Sequence, residues 1–162
     1  MEAPLPVKNY QIKMKNRISI KDVEPAAYTA MMSLENYSSK TQISPTLKGL
    51  IKIRASQING CAYCVDMHTE AALKEGESER RLSLLPAWKE SDLFSDQEKA
   101  VLQLTEEITN ISLAGVADET YNRVLGYFEE SVTAQLIILV VLINSWNRIA
   151  VSTRMIFKKQ EI

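Results

Sequence analysis

An all-α fold in a single domain is what this chain predicts, and three observations predict it. Apolar residues recur at helical spacing in segment after segment, no stretch alternates as a half-buried strand does, and Gly and Pro number only 5 each in 162 residues. A hydrophobic fraction of 46% is ample for a core, and the length suits one domain.

Residues 1–20 read as an extended arm, with Pro4 and Pro6 followed by Lys8, Lys13, Lys15 and Arg17. Such an arm is a candidate either to cross onto a neighbouring subunit or to be disordered. The helical domain is expected over 21–162. Its first helix runs from Asp22 or Glu24 to Tyr37, with Val23, Ala27, Ala30, Met31, Leu34 and Tyr37 as its apolar face. Ser44-Pro45 opens the next, Ser as N-cap and Pro at the first helical position. Its buried side is Leu47, Leu50, Ile51, Ile53, Ala55 and Ile58, and Asn59-Gly60 stops it. A third helix begins near Cys61 and ends at Glu75-Gly76; a short one covers Ser78–Leu84, broken by Pro86-Ala-Trp88. Ser95 stands three residues before Glu98, the capping-box spacing, and starts a helix reaching Asn110. Asp118–Phe128 and a long last helix from Ser131 to Phe157 complete five to seven helices. The run Leu136–Ile143 is apolar nearly all round, so that helix must be covered on several sides. A central core helix that also meets a second copy, hence a homo-oligomer, is the expectation.

Charge and targeting signals narrow the partners. A net charge of −1 gives no reason to expect nucleic acid or an anionic membrane. The opening residues MEAPLPVKNYQ hold no apolar leader core, and the apolar run Leu136–Ile143 is far short of the roughly 20 residues that span a bilayer. A soluble, cytoplasmic protein is expected, in which a CxxC pair is redox-active or metal-binding before it is a structural staple.

The chemistry gathers in Cys61-Ala-Tyr-Cys64-Val-Asp-Met-His68, which holds both cysteines and the one histidine of the chain. On a helix, at about 100° per residue, Cys64 lies roughly 60° from Cys61 and His68 roughly 20° from it, so all three share a face. Helical Cα atoms at that spacing are about 5 Å apart, which a disulfide accepts. Gly60 ends one helix and so sets both thiols in the first turn of the next, where the dipole lowers a thiol pKa. One thiolate attacks, the other resolves by closing the disulfide, and His68 handles the proton. Three other readings compete: two buried structural thiols, a zinc site and a thioredoxin-type enzyme. Zinc needs four ligands, with Asp66 or Glu70 as a fourth, and one helix cannot easily wrap a tetrahedron. A thioredoxin-type site needs a strand before the CxxC, and no strand pattern precedes it.

The stretch from Ser56 to His68, with Leu85-Pro-Ala-Trp88, Phe94-Ser-Asp-Gln-Glu98 and Ile143-Asn-Ser-Trp-Asn-Arg148, resembles the carboxymuconolactone decarboxylase superfamily, and most its alkylhydroperoxidase D-like branch. The resemblance covers roughly residues 20–155. It implies an all-α fold with the CxxC at the start of a central helix, assembled as a trimer or hexamer. It implies a thiol peroxidase of antioxidant defence in which Cys64 attacks the hydroperoxide, Cys61 resolves and His68 relays the proton. An external dithiol reductant then reopens the disulfide, and no metal or organic cofactor is needed. The lactone decarboxylase activity that names the superfamily is the alternative, although that branch generally lacks the CxxC pair. A redox-sensing, non-enzymatic oligomer is another. Trp146, Asn147 and Arg148 match the family as structural residues; Asn144 and Asn147 would bond backbone or interface groups if buried, and Arg148 suits an interface ion pair.

One position departs from the pattern. The family relay usually includes a glutamate twelve residues before the first cysteine, and Gly49 stands there. Asp66, Glu70, an acid from a neighbouring segment, or Tyr63 orienting water are the candidates to fill the gap. General-base help is typically worth about 10²–10⁴-fold. Gly49→Glu should therefore speed peroxide-dependent disulfide formation, followed by stopped-flow fluorescence, if the relay lacks only its acid. An unchanged rate in a folded variant would mean that another group supplies it.

Overall fold

Nine α-helices and one 3-10 segment make up the regular structure of residues 17–156, the part of the chain that the computed structural model describes. In order these are α1 (Ile20–Val23), α2 (Pro25–Ser39), α3 (Pro45–Ile58), α4 (Ala62–Lys74), α5 (Glu79–Leu84), the 3-10 segment Leu85–Glu90, α6 (Asp96–Thr109), α7 (Ile111–Ala114), α8 (Asp118–Leu125) and α9 (Glu130–Thr153). No strand occurs among the described residues, and the all-α expectation holds.

The helix starts follow their local chemistry. Ser44 Oγ accepts from the Leu47 N–H at 3.2 Å with Pro45 as the first helical residue of α3. Ser95 and Glu98 form both halves of the capping box of α6: Ser95 Oγ accepts from Glu98 N–H at 3.2 Å, and Glu98 Oε2 from Ser95 N–H at 2.8 Å. Gly60, at φ +64°, makes the left-handed turn between α3 and α4, a conformation that a Cβ disfavours.

Three expectations about boundaries and faces are corrected. Residues 1–16 of the arm lie outside the described residues; at its end the Arg17 N–H donates to the Thr153 carbonyl at 2.9 Å, and Ile20 already begins α1. On α2, Met31 and Leu34 turn inward as expected, but Val23, just before it, and Ala27, Ala30 and Tyr37 are exposed, and Tyr28, Glu35 and Ser38 complete the inward side. Helix α8 ends at Leu125 rather than Phe128. Helix α9 ends at Thr153, where Arg154 adopts a left-handed cap at φ 53°; Phe157 lies outside the described residues. The short helices α1 and α7 carry too few residues for periodicity to reveal them.

Helix α9 is long and apolar enough to cross a bilayer by length and composition. It nevertheless packs as a core helix, against α2, α3, α4, α6 and α8. Leu136, Leu139 and Val140 join Leu47, Ile51, Val101, Leu104 and Val124 in the main core. Each such side chain contributes roughly 1.5–3 kcal/mol when fully buried. A second core joins Leu50, Ile53, Ala72, Leu85, Trp88, Phe94 and Leu102, and fastens α4 and the 3-10 segment to α3 and α6.

Glu106 ties this second core together. Its carboxylate accepts from Trp88 Nε1 at 2.7 Å and Arg54 Nε at 2.9 Å, and pairs with Lys89 at 3.1 Å. Burial alone would raise the Glu106 pKa, but these donors outweigh it and hold it below the usual carboxylate value. A depressed folded pKa adds stability above the unfolded pKa and loses it as pH falls through the folded one. Glu106→Gln should therefore cost about 1.5–3 kcal/mol in urea unfolding at neutral pH, the range for bonds to charged groups. Its deficit against wild type should shrink in acid.

Candidate active site

The CxxC pair sits at a turn whose position is set from below. Asn59 Nδ2, at the end of α3, donates to Asn144 Oδ1 at 3.0 Å and Asn147 Oδ1 at 2.9 Å, both on α9. Asn147 Nδ2 donates to Ser56 Oγ at 2.9 Å, and Asn144 Nδ2 to Thr109 Oγ1 at 3.0 Å. Asn144 and Asn147 are therefore satisfied largely by side chains of α3 and α6, and the turn is locked onto α9. Arg148 Nη1 donates back to Asn144 Oδ1 at 2.8 Å, which steadies the same amide.

Cys61 is the N-cap of α4 rather than part of its first turn; its Sγ accepts from the Cys64 N–H at 3.3 Å, and its own N–H donates to the Ser56 carbonyl at 3.0 Å. The Cα atoms of Cys61 and Cys64 are 5.3 Å apart, and the two sulfurs are joined as a disulfide. Both cysteines are nearly inaccessible, packed with Ala150 and Tyr63.

A cleft of about 680 Å³ opens over this pair, between α2, α4, the end of α9 and residues 17–21. Of the described residues that border it, Cys64 is the one cysteine, with His68 and Tyr63 beside it. Its other walls are mostly apolar, from Tyr28, Met32, Met67, Trp146 and Ile149. The shared face of Cys64 and His68 is thus present, whereas Cys61 lies behind the pair.

His68 has its pKa lowered to about 4, first because burial penalises the imidazolium, second because the Lys52 ammonium repels it, with Glu35 opposing both. It is a neutral imidazole at neutral pH and can accept a proton. Glu35 is what sequence reasoning missed. It borders the cleft from α2, pairs with Lys52 Nζ, and its Oε2 accepts from Trp146 Nε1 at 3.2 Å. These partners lie 17 and 111 residues away in sequence, so no local spacing could have marked it.

The other acids do not reach this cleft. Glu70 pairs with Lys74 at 2.5 Å on the exposed side of α4, and Asp66 borders a separate shallow groove with Ser56 and Thr69. Gly49 faces Ala72: a Cβ there would meet the Ala72 Cβ at 3.3 Å. The close crossing of α3 and α4 accounts for a residue without a side chain at that point.

The carboxymuconolactone decarboxylase family profile matches residues 25–107, which include the CxxC and His68. This chain belongs to that family. It is 45% identical over 139 residues to the uncharacterized protein YdfG of Bacillus subtilis, covering 86% of this chain and 95% of that one. Its fold is that of ATU0492 from Agrobacterium tumefaciens, a protein of unknown function for which an AhpD antioxidant defence role has been suggested. The TM-score is 0.87 at 36% identity, over 90% of this chain and 100% of that one. The debrominase Bmp8 shares the fold alone, at TM-score 0.71 and 18% identity over 83% of this chain and 72% of that one.

In the disulfide form, a proton NMR titration of the single His68 should give a midpoint at about 4. A midpoint near that of free histidine, about 6.5, would show the ring solvated and free of Lys52.

Proposed function

We propose that this member of the family is a thiol peroxidase that reduces hydroperoxides through a Cys61–Cys64 dithiol/disulfide cycle in antioxidant defence. The observation that carries this reading is the contact of Cys64 with the cleft beside a neutral His68, one turn along α4. Cys64 is then the attacking sulfur and Cys61, behind it at the helix cap, the resolving one.

The reduced Cys64 thiol gives its proton to His68, and the thiolate attacks the distal oxygen of the hydroperoxide. The O–O bond breaks, Cys64 becomes a sulfenic acid, and the alcohol leaves with the proton from His68. The Cys61 thiol then attacks the sulfenic sulfur, the S–S bond forms and water departs. An external dithiol completes the cycle by exchange, its two thiols becoming a disulfide while Cys61 and Cys64 return to thiols. Because both sulfurs are buried, that donor must reach them through the cleft as the peroxide does.

A homo-oligomer fits the surface of α9. Ile138, Val141 and Val151 are left 36%, 44% and 50% exposed on this helix, and a second copy would cover them.

Mass spectrometry of the reduced protein, before and after one equivalent of cumene hydroperoxide, tests the cycle. Wild type should lose two protons to a Cys61–Cys64 disulfide, Cys61→Ser should stop at an oxidised Cys64, and Cys64→Ser should show no fast reaction. Light scattering on the same reduced sample should give a mass above the 18.3 kDa of one chain. Two unreacted thiols in wild type would remove the peroxidase reading and turn attention to lactone substrates.

A further inference from the structure

A half-buried imidazole that takes a proton from Cys64 becomes a cation in a cleft with mostly apolar walls. That step separates charge: a neutral thiol and a neutral ring become a thiolate and an imidazolium, with the proton moving from Sγ to a ring nitrogen. A low-polarity surrounding opposes the separation unless a fixed negative charge lies near the ring. The charged and titratable groups around His68 come from every side of the cleft. Glu35 and Tyr28 face it from α2, Tyr63 and Cys64 from its own helix, and Arg17 and Lys21 from the segment before α2, while Lys52 acts on it from α3. The α9 wall, Trp146, Ile149, Ala150 and Thr153, brings no titratable group. Arg17 is turned to the end of α9, where its Nη1 donates to the Ser152 carbonyl at 3.0 Å. Among the described residues bordering the cleft, Glu35 is the one carboxylate.

We propose that Glu35 is the positioning carboxylate of this site, stabilising the His68 imidazolium that forms as Cys64 ionises, and that Lys52 holds this effect in check. Two contacts make Glu35 a fixed charge rather than a mobile surface acid. Trp146 Nε1 donates to one oxygen at 3.2 Å, and Lys52 pairs with the other. The pair is set into the wall, with side-chain exposures of 15% for Lys52 and 31% for Glu35. The two charges act on the ring in opposite directions: the carboxylate favours the imidazolium and the ammonium disfavours it. The proposal rests on the thiol peroxidase reading only for its use; ionisation of Cys64 requires no peroxide.

The test is the pH dependence of alkylation of Cys64 by iodoacetamide, in reduced protein carrying Cys61→Ser so that one thiol remains. Adding Glu35→Gln should move the thiol midpoint to higher pH and slow alkylation at neutral pH roughly three- to tenfold, a tenfold change corresponding to one pKa unit. Adding Lys52→Met should move the midpoint the other way and speed the reaction by a similar factor. Glu35→Asp should recover most of the rate lost in Glu35→Gln. Circular dichroism establishes that each variant is folded. Loss of a merely structural ion pair would shift Glu35→Gln and Lys52→Met in the same direction, and that result overturns the proposal, as does a midpoint in Glu35→Gln equal to that of its parent. A midpoint shift, with no peroxide turnover in protein that retains both cysteines, would keep the role of Glu35 and end the peroxidase reading. Turnover with no shift would do the reverse.

Discussion

The Asn59 side chain, with its two acceptors on α9, is the contact on which the site depends. CxxC chemistry needs one sulfur at a helix start and both sulfurs within bonding reach, and the start of α4 is defined by the turn at Asn59-Gly60. That turn would swing freely if only the backbone of Gly60 set it, since glycine tolerates either sign of φ. The amides of Asn144 and Asn147 prevent this by gripping Asn59 from the core helix, and Ser56 completes the link. Buried amides that lose their partners are costly, so the network resists rearrangement. Its reward is positional: Cys61 becomes the cap, Cys64 the third residue of α4, and both rest on Ala150 of α9.

The same helix supplies one wall of the cleft. Trp146 stands one turn before Ala150 and its indole N–H orients Glu35, while its ring meets Tyr28 edge-on at 5.7 Å. Helix α2, which buries little of its own surface, is thereby held over the cleft. The apolar lining desolvates His68 and keeps its ring neutral, and so opposes the charge that forms when the ring takes a proton. An ion pair from two other helices, Glu35 of α2 and Lys52 of α3, acts on the ring in opposite directions. Gly49 is packed against Ala72 at the crossing of α3 and α4, and the carboxylate that borders the cleft comes from a different helix, α2.

Much of this was legible in the sequence because it rests on short-range rules. The Ser44 and Ser95 caps, the stop at Gly60 and the inward face of α3 follow from residues three or four positions apart, and they match the structure. Cys64 and His68 share a face for the same reason. The inward side of α2 was legible only at Met31 and Leu34; Tyr28 and Glu35 face in and meet Trp146, a contact that the helix's own periodicity does not show. The partners of Asn144 and Asn147 were likewise out of reach, since a buried amide shows that a partner is needed and not which one is near.

What the sequence determined by itself is the all-α class, most helix starts and stops, and a thiol pair with a histidine at helical spacing. Those properties arise from backbone geometry and side-chain chemistry within a few residues. Only the tertiary structure decided that Cys64 rather than Cys61 borders a cleft, that His68 is held neutral there, and that Glu35 and Lys52 stand beside it. Solvent exposure and electrostatic environment depend on which helices meet, and those meetings join residues as far apart as Glu35 and Trp146.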